Sequence, residues 1–165
     1  MKFTIQQVFE GPASELCNAL TNADYLRSMG KLADLGTPEL VSQKRVKGTV
    51  SQQVRTTFTG KLPSIALKVI DPAKLAWDEF TEIDTKARVA TFTMVPVHYQ
   101  SYFRCGGGWE LTENPDASST IRLITGDLKV SSPIPFVNGQ VERAIISGLR
   151  DRLAQEPQIY RSYRA

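Results

Sequence analysis

From residue 38 to residue 130 the sequence alternates with period two, one short segment after another, with no long helical stretch between them. Strands that follow each other directly pair antiparallel, because a parallel neighbour needs a crossover of about a dozen residues, usually a helix. An antiparallel sheet with one apolar face must then cover that face. Only one later segment is large enough to do so. From Phe136 onward, Val137, Val141, Ala144, Ile145, Gly148, Leu149 and Leu153 recur at helical spacing, with Glu142, Arg143, Arg150, Asp151 and Gln155 mostly on the other side.

The strands are readable one by one. Residues 2–10 open the chain with Phe3, Ile5 and Gln7 on one side and Thr4, Gln6 and Val8 on the other. The later strands are ELVSQKRVKG, TVSQQVRTTFTG, KLAWDEFTEID, ARVATFTMVP, YFRCGGGWELTE and TIRLITGDLKV. Turns are expected at Lys47-Gly48, Asp84–Lys86 and Val97–Gln100, and ENPDASS reads as a loop. LPSIALKVID reads as a short helix or compact loop. After the first strand, Gly11 and Pro12 introduce a short helix carrying Leu16, Cys17 and Leu20. Asn22 can cap a second, with Tyr25, Leu26 and Met29 inward. Pro157 is expected to kink or end the long helix. The fold class is therefore α+β: a curved antiparallel sheet of about six to seven strands wrapped around a long C-terminal helix. Two short helices follow the first strand, and residues 1–165 make a single domain.

That order resembles the helix-grip arrangement of the START-like superfamily, which includes birch-pollen-allergen-like proteins, polyketide cyclases and lipid-transfer domains. Within it the chain most closely resembles an uncharacterised, mainly actinobacterial family, through the segment PIPFVNGQVERAIISGLRDRLAQE. The resemblance implies a ligand-binding cavity between sheet and helix. It implies no catalytic set, because the superfamily shares none.

Glycine-rich CGGGWE is the one stretch that suggests phosphate chemistry. No Lys-Ser/Thr follows it and it opens no helix, so neither phosphate-binding spacing is met. Glycines inside a strand mark a bulge, a bend or a close approach of other groups. Missing side chains there, and at Gly148, are expected to leave room for a ligand. The cavity-lining positions expected from parity are Val54, Phe58, Trp77, Phe92, Met94, Phe103, Cys105 and Trp109 from the sheet. Val141, Ile145, Gly148, Leu149 and Arg152 are expected from the helix. Arg152 is expected to snorkel outward, or to meet an anionic head at the cavity mouth.

The catalytic reading has few residues to use. His98 is the only histidine, sits at an expected turn and has no partner that sequence identifies. Glu79 is a buried carboxylate if it shares a face with Trp77. It is solvated if Phe80 points inward, which base rates for glutamate favour. Two cysteines, Cys17 and Cys105, with no CxxC or Cys/His cluster, give no zinc site and read as buried thiols. A net charge of +3 with scattered basic residues does not suit nucleic acid. No run reaches the roughly 20 apolar residues of a membrane span, and transient membrane contact stays open. The expectation is a cytoplasmic protein without cofactor or metal that binds or transports an apolar, lipid- or polyketide-like small molecule. The alternatives are a cyclase- or dehydratase-type enzyme, in which Glu79, Tyr102, Arg104 or His98 converge, and a protein-interaction module with a filled cavity. The oligomeric state is not readable.

Overall fold

In β1 (Lys2–Glu10), Phe3, Ile5, Gln7 and Phe9 turn inward and the residues between them are exposed. Gly11, at φ 90°, ends the strand in a conformation that costs glycine little. Helices α1 (Ala13–Ala19) and α2 (Ala23–Ser28) follow. The Asn22 side chain accepts a hydrogen bond from the Asp24 N–H at 2.8 Å, capping α2. The computed structural model describes residues 1–165.

Six more strands come in succession: β2 (Glu39–Val46), β3 (Thr49–Thr57), β4 (Ala76–Asp84), β5 (Val89–Pro96), β6 (Phe103–Glu113) and β7 (Ser119–Val130). From β3 onward each pairs antiparallel with the one before it, and β7 returns to β1, so one seven-stranded sheet runs β1-β7-β6-β5-β4-β3-β2 with β1 and β2 at its edges. The segment between β3 and β4 forms two short 3-10 turns, Ala66–Lys68 and Pro72–Lys74.

Three consecutive glycines, Gly106–Gly108, lie within β6. Their register with β5 and β7 is unbroken, so they form no bulge. A Cβ on Gly107 would lie 2.1 Å from the Thr125 carbonyl oxygen, and one on Gly108 2.5 Å from that of Ala90. Neighbouring backbone closes over β6 to a degree that only glycine permits. The expected empty volume is not there. The Phe92 ring comes within 3.0 Å of the Cβ position of Gly107, and the Arg152 guanidinium within 3.2 Å of that of Gly148. Larger neighbours occupy the room each glycine vacates.

The C-terminal region is two helices rather than one. Helix α3 (Asn138–Leu153) stops, and α4 (Glu156–Arg164) begins with Pro157 in its first turn. A proline there sacrifices no intrahelical hydrogen bond, so Pro157 starts a helix instead of ending one. Helix α3 packs on β7 and β1, and α4 on β1 and α2. Val141 and Ile146 of α3 bury against Phe3, Ile5, Ile124, Leu128 and Val130. A second core gathers Phe9, Leu16, Tyr25, Ile83, Leu111 and Tyr160 under the short helices, and Trp109 touches both. No helix is long and apolar enough to cross a membrane.

Candidate functional site

The inner face of the sheet reads as rows running across the strands. One row is Val54, Glu79, Met94, Cys105 and Leu128, from β3 to β7. The next holds Gln52, Thr81, Phe92, Gly107, Gly126 and Phe3. On the other side of Glu79, Trp77 stands between Thr56 and Pro96.

Glu79 therefore faces inward, against the base rate for glutamate, and Phe80 is 44% exposed on the outer face. The reason lies two and four residues further on. Thr81 and Ile83 are buried, at 3% and 0% exposure, and strand parity carries Glu79 with them.

Helix α3 packs on β7 and β1, and the short helices cover the Val50–Ile83–Ala90 end of the inner face of β3, β4 and β5. Trp77, Glu79, Phe92, Met94, Phe103, Cys105 and Trp109 all point inward, yet each is only half-buried. So are Ile145, Leu149 and Leu153 on α3. Most of these inward-turned side chains pack against the β1–β7–α3 core while keeping part of their surface accessible. Val54 is buried, and Val141 lies in the packed core with β7. Phe58 and Arg152 sit together at one side, with the guanidinium 5.7 Å from the Phe58 ring centre. Arg152 does not snorkel into solvent. Its side chain is 16% exposed and meets Asp34 at 3.9 Å. Burial holds its pKa below the usual guanidinium value, and the carboxylates of Asp34 and Asp151 oppose that shift.

Glu79 is the carboxyl among these inward-facing residues. Thr81 Oγ1 donates to its Oε1 at 3.0 Å. Burial pushes its pKa up. The Thr81 hydrogen bond and the charge of Arg122 pull the other way, and Glu156 adds to the rise. Cys105, in the same row, is pushed up to about 11 by burial, with Glu79 and Asp127 adding to the shift.

A buried polar cluster closes the end of the interior, and little in the sequence points to it. The Arg122 Nε donates to Gln7 Oε1 at 2.7 Å, and its Nη2 pairs with Glu156. Gln7 Nε2 donates to Glu156 Oε2 at 3.0 Å and to the Leu153 carbonyl at 2.6 Å. Tyr25 Oη donates to Glu156 Oε1 at 3.0 Å. Burial, with Glu156 beside it, lifts the Tyr25 pKa far above the phenol range. The one usable signal is Gln7, a polar residue in step with Phe3 and Ile5.

The other proposed acid–base residues do not converge on Glu79. His98 is exposed in the β5–β6 connection and Arg104 is exposed on the outer face. Tyr102 stacks on Tyr99 at 5.6 Å. No group of three His, Cys, Asp or Glu side chains is placed to hold a metal ion. The two cysteines are free thiols. Two open grooves lie on the outer face of the sheet, one around Ser51, Phe80 and Thr93 lined mainly by polar residues, and one around Arg104, Asp127 and Lys129 where Met94, Val95, Pro96, Phe103 and Cys105 also contribute.

Solved structures place the fold. The Zhui aromatase/cyclase from Streptomyces sp. R1128 is similar over 100% of this chain and 96% of its own, with a TM-score of 0.66 at 16% identity. A protein of Thermus thermophilus is similar over 96% of this chain and 93% of its own, with a TM-score of 0.65 at 14% identity. The di-domain aromatase/cyclase StfQ of the steffimycin biosynthetic pathway is similar over 99% of this chain and 46% of its own, with a TM-score of 0.55 at 15% identity. Likeness at this identity fixes the helix-grip fold and nothing finer. No curated protein matches the sequence. The family model described as a protein of unknown function (DUF2505) matches residues 4–163, and the chain belongs to that family.

Proposed function

We propose that the protein binds an apolar small molecule in the concave space between β3–β6 and α3, as a carrier or sensor acting in the cytoplasm. Residues 1–165 serve as one binding domain. One observation carries this reading: a contiguous set of inward-facing aromatic and sulfur side chains is left half-buried around a single carboxyl. Small-molecule sites have this composition, mostly apolar walls with few polar groups. Two structural neighbours bear the name aromatase/cyclase, which supports a small-molecule role for the fold. Two free thiols suit a reducing compartment.

A second reading is a cyclase- or dehydratase-type enzyme on a polyketide-like substrate. Glu79 favours it, as a carboxyl with a raised pKa inside the space, the usual preparation of a general acid. It has no second acid or base facing it, so binding without turnover is the stronger reading.

The test is native mass spectrometry of the protein purified from its own host, joined to thermal-shift screening of lipids and flavonoids. A co-purified or stabilising small molecule is the expected result. Failure of every compound to bind removes both readings and leaves a protein-interaction module. Turnover of a bound compound that Glu79→Gln abolishes while binding persists would establish the enzyme.

A further inference from the structure

Glu79 is unusual for what it lacks. Its row neighbours are Val54 and Met94, with Cys105 beyond, and Trp77 flanks it along β4. No Lys or Arg reaches its carboxylate; the ion pairs of the protein all lie elsewhere. The nearest strong charges, Arg122 and Glu156, are paired to each other and largely cancel at a distance. Arg152, the one guanidinium beside the space, is taken up by Asp34 and the Phe58 ring.

The two carboxyl oxygens differ. Oε1 accepts from Thr81. Oε2 has no protein partner, yet it is not sealed away, because the only sealed side-chain polar atom without a partner is Tyr160 Oη. Oε2 therefore keeps some accessible surface on the inner face of β4 and is free to take a partner. Burial disfavours the charged form of a carboxyl with no cation beside it and raises its pKa, with the Thr81 hydrogen bond and Arg122 opposing the shift. A neutral carboxyl presents an O–H, so its complement is an acceptor oxygen. A ligand anion would find no free cation here. An ammonium ligand would require Glu79 to ionise and both charges to lose their water, a cost that pairing alone often fails to recover.

We propose that Glu79 is the polar anchor of the concave site and that its ligand class is an uncharged apolar molecule bearing a carbonyl or hydroxyl oxygen, bound by the Glu79 O–H. This rests on the small-molecule reading above. Three naphthalenes of like size separate the two ideas: acetonaphthone, which is neutral with an acceptor; ethylnaphthalene, without one; and naphthylethylamine, a cation at neutral pH.

Titration calorimetry with each probe is run on the wild-type protein, Glu79→Gln and Glu79→Leu. The ketone is expected to bind the wild type about tenfold tighter than the hydrocarbon, the scale of one net hydrogen bond. Glu79→Gln, which keeps a neutral donor of similar shape, retains most of that preference, and Glu79→Leu removes it. Equal binding of ketone and hydrocarbon by the wild type overturns the anchor and leaves the site. Tightest binding by the amine, lost in Glu79→Gln, overturns the neutral-ligand assignment. Binding of none of the three overturns the small-molecule reading itself. The wild-type comparison decides even if a variant folds poorly.

Discussion

Gly107 stands directly opposite Gly126 in the β6–β7 ladder, and a phenylalanine flanks the pair on each side. Phe92 is the cross-strand partner of Gly107, and Phe3 that of Gly126. The rings lie over the bare backbones, with Phe3 Cζ 2.5 Å from where a Cβ of Gly126 would be. Four residues in one row thus combine a close approach of bare backbone with two aromatic rings laid over it.

This arrangement separates two neighbouring glycines. A Cβ at Gly107 would meet the Thr125 oxygen at 2.1 Å, and that is backbone, which cannot step aside. At Gly106, on the outer face, the nearest atom is the Phe92 carbonyl oxygen at 3.3 Å. Gly107→Ala is expected to destabilise by about 1–3 kcal/mol, the usual cost of overpacking, and Gly106→Ala by well under about 1 kcal/mol. Urea unfolding of both variants checks the contrast, and equal losses would show that the close backbone approach at Gly107 does not set the cost.

The Arg122–Glu156 pair fastens α4 to the sheet through Gln7 and to α2 through Tyr25. Breaking a buried pair from one side strands a charge, which costs roughly 3–5 kcal/mol. Arg122→Leu and Glu156→Leu alone are each expected to lose stability on that scale. The double variant should recover much of the loss, since neither charge is then left alone. Tyr25→Phe should cost about 1 kcal/mol, one hydrogen bond. Denaturant melts of the four variants, with hydrogen exchange followed in α4, measure the coupling. Additive losses in the double variant would mean that the pair does not act as a unit.

Much of this architecture was legible because it rests on local periodicity. The seven strands, the two short helices and the Asn22 cap each follow from spacing within a dozen residues. Glu79 was not legible for a physical reason. Both faces of β4 carry an aromatic residue and an acid, Trp77 and Glu79 against Phe80 and Glu82, so local hydrophobicity does not choose between them. Pairing with β3 and β5 chooses, by placing Ile83 between Val50 and Ala90 in the core. Arg122 is buried because Gln7 and Glu156 meet it from 115 and 34 positions away, which no local pattern records. Pro157 is compatible with either end of a helix, and only the packing of α4 on β1 and α2 shows which.

Cys105 offers a reporter for the proposed binding site. It faces inward, is half-buried, and its thiol is pushed up to about 11. At about pH 8 only roughly one part in a thousand is thiolate, the form that alkylates. Iodoacetamide is therefore expected to label it slowly in the folded protein, faster as pH rises toward about 11 and much faster in urea. A bound ligand should slow the folded rate further. Peptide mapping by mass spectrometry separates Cys105 from Cys17, which is 2% exposed and serves as the sealed comparison. Labelling of Cys105 as rapid as that of an unfolded chain would contradict its burial.

Glu79 makes stability depend on pH in a predictable direction. Its folded pKa is raised, chiefly by burial, so between the ordinary glutamate pKa and the raised value the folded state binds more protons than the unfolded state. Its effect on stability is absent below about pH 4, where both states are protonated, and becomes a loss as pH rises through the folded pKa. Glu79→Gln cannot ionise and escapes that loss. The variant is expected to be more stable than the wild type at neutral pH, by roughly 1 kcal/mol or more, the scale of an unsatisfied buried polar group. The two should converge near about pH 4. Urea melts across that range test it. A constant difference between the two proteins at every pH would show that Glu79 ionises as freely folded as unfolded, and hence that water, not apolar side chains, surrounds its carboxyl.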